Sequence, residues 1–336
     1  MKFNKIIYFL VLVLASLSYS ISYAGNKPDC LTDGSSANPI NLPLEGGCKS
    51  TPDFFQVSIQ EIGVCNGIDA AVTLSTPLPD YHNKALCSAI YNASAPGTQV
   101  TINSSLSSTQ LSGNITAPPS ATYSYSYVIV DNNITSQLTK WFVGNYKGDM
   151  DLGPVPTGNA NTVCWTDPGV VLINHVDANV STKCGDAALI ANPIARPMTI
   201  KMTNLECGAE APYDTPYHCH GKLFGSDGIT ILAEAQIYLL KDGSLPVWDA
   251  ATPWPWPTGL GGQTSDDPTI IPPGYLSDTN QIIIFYKLDT PVVVSSTTSQ
   301  ATVNFSIKSG SSIGTKFPGV LDFGKGPVVF AEIKFQ

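Results

Sequence analysis

The sequence predicts an all-β protein: an antiparallel β-sandwich of the jelly-roll or immunoglobulin-like kind, in two domains stapled by disulfides. Three observations carry that prediction. No window longer than a few turns places apolar residues at i, i+3, i+4 and i+7 between a cap and a closing glycine, and 28 glycines and 26 prolines interrupt the chain too often for long helices. Short alternating segments bounded by turn residues recur along its length. Eight cysteines, an even number, all lie beyond residue 24, as in a stapled exported protein.

Residues 1–24 read as a secretory signal peptide. Lys2 and Lys5 make a basic start, residues 6–17 are an almost unbroken apolar run, and Ser22-Tyr23-Ala24 supplies small residues at the two positions that a signal peptidase reads. Cleavage is expected between Ala24 and Gly25. The apolar run is about 12 residues, short of the roughly 20 that span a bilayer as a helix. No later stretch reaches that length, so no stable membrane insertion is expected. Gly25 is not the cysteine of a lipoprotein, and a type IV pilin would keep the apolar segment that is lost here.

The first domain is expected over residues 25–153. Residues 54–64 alternate with Phe55, Val57 and Ile59 apolar, and the pattern then slips to Ile62, which predicts a β-bulge. Residues 122–130 put Tyr123, Tyr125, Tyr127 and Ile129 on one face and Ser124, Ser126, Val128 and Val130 on the other. The tyrosine stripe is core if it faces inward and a sticky surface if it faces outward. The second domain is expected over residues 154–336, with strands at 170–173, 198–202, 230–240, 281–288, 291–294, 301–307 and 328–335. A Pro/Trp-rich insert at 246–273 interrupts it. Its run Pro253-Trp254-Pro255-Trp256-Pro257 favours an extended polyproline conformation.

Neighbour pairing is expected for the cysteines: Cys30–Cys48, Cys65–Cys87, Cys164–Cys184 and Cys207–Cys219. Each bridge closes a loop of about 12–22 residues, which the chain-entropy model values at about 3 kcal/mol. The rival reading is a zinc site, against which stand the wide spacings and the lack of any C-x-x-C.

Charge narrows the partners. The net charge is −9 for the whole chain and −11 without Lys2 and Lys5, and Arg196 is the only arginine. Nucleic acid demands clustered Lys and Arg to neutralise phosphates, and an anionic membrane surface asks for the same. Neither is an expected partner. The expected partners are other copies of the chain, other surface proteins or glycans.

Several motifs carry possible chemistry. Gly310-Ser311-Ser312-Ile313-Gly314 matches G-x-S-x-G, but the hydrolase elbow needs a following helix and Pro318-Gly319 prevents one; a turn is expected. His218-Cys219-His220 would put two imidazoles on one strand face, a candidate metal site with His175, His82 or Asp214 as third ligand; the plain alternative is a disulfide flanked by surface histidines. Asp149 and Asp151 resemble part of a calcium loop without its distal Glu, and an acidic turn is the alternative. Trp254 and Trp256 could stack on sugar rings or anchor the insert to the sandwich. Six N-x-Ser/Thr sequons, at Asn92, Asn103, Asn114, Asn133, Asn179 and Asn304, mark polar loops.

No convergent set of acid, base and nucleophile stands out among four histidines and one arginine. The expected function is therefore that of a secreted or cell-surface structural or adhesion protein without catalytic activity, a subunit of an extracellular assembly or a surface-binding module. A periplasmic location is the alternative. The alternative function is a carbohydrate-binding protein or glycan-active hydrolase, because glycoside hydrolysis needs only two carboxylates.

Two resemblances bear on this. Val328-Val329-Phe330-Ala331-Glu332-Ile333-Lys334-Phe335-Gln336 ends the chain on an alternating strand with aromatic Phe335 next to last. In this it resembles fimbrial subunits of the chaperone–usher route, which implies joining by strand donation; the lack of any cysteine after Cys219 departs from the usual pilin disulfide. Pro52-Asp53-Phe54-Phe55-Gln56-Val57, Glu61-Ile62-Gly63-Val64-Cys65, Leu86-Cys87 and Leu288-Asp289-Thr290-Pro291-Val292-Val293-Val294 together resemble exported or virion-associated β-rich proteins of marine bacteria and their phages. That group implies a class of protein and no activity.

Overall fold

The computed structural model describes residues 7–12, 28–42, 47–67, 80–93, 97–103, 108–111, 115–149, 151–152, 154–158, 160–167, 182–190, 192–200, 218–224, 231–244, 279–296, 298, 301–306, 311–325 and 328–335. Every regular element among them is a strand. In chain order these are β1 Ile7–Leu12, β2 Gly47–Ser50, β3 Phe54–Cys65, β4 Cys87–Asn92, β5 Thr98–Asn103, β6 Ser108–Gln110, β7 Ala121–Asp131, β8 Ile134–Gln137, β9 Thr139–Val143, β10 Lys147–Gly148, β11 Asn161–Thr166, β12 Thr182–Asp186, β13 Met198–Ile200, β14 His218–Phe224, β15 Ile231–Leu240, β16 Gln281–Val294, β17 Ala301–Ser306, β18 Ser311–Phe317, β19 Val320–Lys325 and β20 Val328–Phe335. The all-β class is as the sequence predicts. Among the described residues the strands pair antiparallel except for β10 with β19, and isolated parallel bridges join Asp29 to Lys49 and Ile40 to Phe142.

Nine strands form the largest sheet, whose main path runs β13-β8-β3-β7-β16-β15-β14. β3 organises it. On one side its N-terminal half meets β8 and its C-terminal half meets β7; on the other side β5 and β4 divide it in the same way. The division falls at the expected slip: the register with β7 shifts between Ile59 and Glu61, a bulge at Gln60.

The centre of this sheet is buried on both faces, and so reads as continuous apolar sequence rather than alternation. Ile282, Ile283, Ile284, Phe285 and Tyr286 are all at most 2% exposed. Phe55, Val57, Val128, Val130, Ile237, Ile282 and Ile284 belong to one core, and Tyr127, Ile129, Tyr238, Ile283 and Phe285 to another. Each such side chain contributes about 1.5–3 kcal/mol through burial. The expected single tyrosine stripe is split between the two: Tyr123 packs with Val128 and Val130, whereas Tyr125 and Tyr127 pack with Ile129. The reason is irregular pairing, since β16 skips from Lys287 to Val292 opposite Tyr125 and Tyr123. That skip also joins the two expected strands 281–288 and 291–294 into β16.

Three smaller sheets accompany it. β12-β11-β9 and β10-β19-β18-β2 contribute to a third core of Phe142, Tyr146, Cys164, Ile313, Leu321 and Phe323. Gly148 makes close contact between them possible: a Cβ there would lie 1.8 Å from the Thr182 carbonyl oxygen. The last sheet is β1-β20-β17-β6. All four sheets combine strands from both sides of the boundary expected at 153/154, so that boundary does not separate hydrogen-bonded units. At the end of β15, Asp242 and Gly243 both adopt positive φ (51° and 79°), and Lys241 pairs with Ser244 across them. This is the Asp-Gly signature of a tight hairpin turn.

The expected strand at 170–173, residues 201–202 of the strand expected at 198–202 and the insert at 246–273 lie outside the described residues. Ser312 lies on β18 opposite both Lys49 and Lys325. The G-x-S-x-G segment therefore continues into a paired strand, in place of the expected turn.

Candidate functional site

Three of the four expected disulfides are present: Cys30–Cys48, Cys65–Cys87 and Cys164–Cys184. Two lie directly across ladders, Cys65 opposite Cys87 between β3 and β4 and Cys164 opposite Cys184 between β11 and β12. These six cysteines are thereby taken from any zinc site, and the bridges indicate an oxidising compartment. Cys207 lies outside the described residues, and Cys219 is placed on β14 opposite Ile237.

The candidate metal ligands are only partly brought together. His218 and His220 sit on β14 opposite Tyr238 and Gln236. His82 is in a turn, its ring 4.1 Å from that of Tyr81, and His175 and Asp214 lie outside the described residues. Asp149 and Asp151 serve backbone donors. The Thr182 N–H donates to Asp149 Oδ1 at 3.3 Å, and the N–H groups of Gly148 and Cys184 donate to Asp151 Oδ2 at 2.7 and 2.9 Å. The loop thus ties β10 to β12. No cluster of three or more His, Cys, Asp or Glu arranged for a metal occurs among the described residues. Trp254 and Trp256, the candidate sugar platform, lie outside them.

Two polar arrangements escaped the sequence reading. Lys140 on β9 is buried. Its Nζ donates to the Asp33 carbonyl at 3.1 Å and lies 3.9 Å from Asp53 Oδ1, while the Thr139 N–H donates to Asp53 Oδ2 at 2.6 Å. Burial pulls the Lys140 ammonium below its ordinary value, against the opposing pull of Asp53 and Asp33. Burial likewise raises the Asp53 carboxyl, against Lys140 and the Thr139 N–H. Further along β3, the Tyr127 hydroxyl donates to Glu61 Oε1 at 2.6 Å, and Asn92 Nδ2 donates to Glu61 Oε2 at 3.3 Å. Tyr81, packed on Tyr127 and Phe285, donates to the Gly243 carbonyl at 3.1 Å. Burial and the neighbouring Glu61 and Asp80 push its phenol up to about 12. Lys140 holds the Asp33 loop to β9, and Tyr81 holds its turn to the turn at Gly243.

The feature best suited to an interaction is the outer edge of β20. Its inner edge pairs with β17 over six residues, from Ala301 opposite Phe335 to Ser306 opposite Phe330. Its outer edge pairs with β1 over six more, from Ile7 opposite Ile333 to Leu12 opposite Val328. Val303 of β17 is fully buried in the main core, and Ile333 and Ile7 follow it in register along one row of the sheet. The occupant of this edge is Ile-Tyr-Phe-Leu-Val-Leu, part of the apolar run expected to leave with the leader. That run has the β-branched and aromatic content of a strand, a signal that the signal-peptide reading passed over.

No family model, curated protein or solved structure matches the chain.

Proposed function

We propose that the chain is exported, loses residues 1–24, and works outside the cytoplasm as a structural or adhesive surface protein that joins other protein through a sheet edge. One observation carries this reading. The segment that covers β20 on its outer side belongs to the leader, so cleavage after Ala24 would leave the N–H and C=O groups of that edge unpaired. A bare strand edge is a template for strand addition by another chain. The three disulfides support the same compartment, because such bridges persist in secreted and periplasmic proteins. In this reading the polar groups around Lys140, Glu61 and Asp151 hold the fold together, and none has a catalytic role.

The test is negative-stain microscopy of purified mature protein (residues 25–336), with a glycan array run in parallel. Particles larger than one chain support the assembly role, and retention on defined glycans supports surface attachment. Single-chain particles together with a blank array would remove both arms of the proposal.

A further inference from the structure

We propose that the β20 edge bared by leader cleavage pairs antiparallel with the same edge of a second copy, about a two-fold axis through Ile333. The inference rests on the reading above, that residues 1–24 are removed, and adds the partner and its register. Its starting point is the strand already seated there: β1 shows that this edge accepts a six-residue apolar strand in antiparallel register.

An isologous contact joins the same surface of both subunits. In an antiparallel ladder, hydrogen-bonded and non-hydrogen-bonded pairs alternate. A two-fold axis must therefore pass through one residue opposite itself. Within Val328-Val329-Phe330-Ala331-Glu332-Ile333-Lys334-Phe335 the possible centres differ sharply in what they oppose. Centred on Glu332, the ladder sets Glu332 against Glu332 and Phe330 against Lys334. Centred on Lys334, it sets lysine against lysine. Centred on Ala331, it leaves Glu332 opposite Phe330 and Lys334 opposite Val328. Only the frame centred on Ile333 sets Glu332 opposite Lys334, twice by symmetry, and also sets Ile333 against Ile333 and Ala331 against Phe335. Opposite charges directly across strands stabilise a pair, and like charges destabilise it. Ile333 lies opposite Val303, whose side chain is buried, so the apolar pairs of this frame continue that register position across the new seam. The three strands β20, β17 and β6 of one copy would continue into those of the other as one six-stranded sheet.

Sedimentation velocity on mature protein (residues 25–336) tests the pairing. Wild type is expected to show a concentration-dependent dimer. Glu332→Lys turns two attractive pairs into two Lys–Lys pairs and is expected to weaken the dimer by about tenfold or more. Lys334→Glu is expected to do the same. The double variant E332K/K334E restores opposite charges in this frame and in no other, and is expected to recover the wild-type dimer. The recovery also guards against misfolding of a single variant, because both single changes are present in it. A mature protein that stays monomeric, or a dimer indifferent to all three variants, overturns the inference. Larger assemblies that ignore the variants overturn this edge and register while leaving the surface-assembly reading intact. Monomers that still bind glycans overturn the edge and leave surface attachment standing.

Discussion

At the scale of single residues, Lys140 and Asp53 form a pair in which burial opposes both charges. Burial dominates the displacement of both groups: the lysine is held below its ordinary value and the carboxyl above its own. Replacing a buried ion pair by neutral groups is often neutral or stabilising, while removing one partner leaves an uncompensated charge. Lys140→Met alone should lose about 1–3 kcal/mol in urea unfolding, because Asp53 keeps a partly buried carboxylate without its cation. Asp53→Asn combined with Lys140→Met should recover most of that loss, since asparagine still accepts from the Thr139 N–H. The pH dependence follows from the raised carboxyl. A raised group holds its proton more tightly when folded, so its contribution is full below the ordinary value of 3.8 and is lost as pH rises through the folded value. Asp53→Asn should remove that decline just above pH 3.8, and an unchanged slope would refute the assignment. A second residue-scale expectation concerns Ser126 on β7, whose hydroxyl is buried without a hydrogen-bond partner among the described residues. Ser126→Ala should raise the unfolding free energy by about 1 kcal/mol, because a desolvated, unpaired hydroxyl costs about that much or more.

At the scale of elements, the bridges replace what short strands cannot supply. β4 and β12 have six and five residues, and each is fastened to its neighbour by a disulfide directly across the ladder. Cys65→Ala with Cys87→Ala reopens a loop of sequence separation 22 and should lower stability by about 3 kcal/mol, read by chemical denaturation. A loss much smaller than this would show that the buried ladder alone fastens β4. The pairing could be read from the chain because neighbouring cysteines enclose short loops. The long apolar strands could be read too: residues 328–335 coincide with β20, and the slip after Ile59 with the bulge at Gln60. The short polar ones could not. β2, β10 and β12 contain Gly47-Cys48-Lys49-Ser50, Lys147-Gly148 and Thr182-Lys183-Cys184-Gly185-Asp186, which have little apolar alternation. Their strand character comes from partners distant in sequence and from carboxylates such as Asp151, which accept from their N–H groups. The same dependence on distant partners hid the β20 edge, because its occupant lies more than 300 residues away in sequence.

At the scale of the whole molecule, hydrogen bonding ignores the boundary expected at 153/154. β7 and β16 pair over ten positions although they are separated by the length of a small domain, and β15 and β14 continue the sheet beyond them. Without β16, the buried residues Tyr127, Val128, Ile129 and Val130 would lose their neighbours Ile282, Ile283, Ile284 and Phe285, and a strand of eleven residues would present a bare edge. Losing several such contacts costs about 1.5–3 kcal/mol for each exposed side chain. For the four named side chains the total is about 6–12 kcal/mol, as large as the 5–15 kcal/mol by which a typical domain is stable. A fragment of residues 25–153 should therefore fail to fold alone, showing a collapsed amide spectrum and no near-ultraviolet circular dichroism, while residues 25–336 show both signatures of a packed core. A well-dispersed spectrum from the fragment would mean that β3, β4, β5, β7 and β8 form a self-sufficient unit. In that case the pairing with β16 would be docking between finished halves. If the fragment is unfolded, pairing of β16 with β7 is a late requirement of folding. Distant strand pairing is intrinsically slow and leaves edges open to aggregation meanwhile. The disulfides at Cys65–Cys87 and Cys164–Cys184 would then matter most during that interval, by holding local ladders closed until the C-terminal strands arrive.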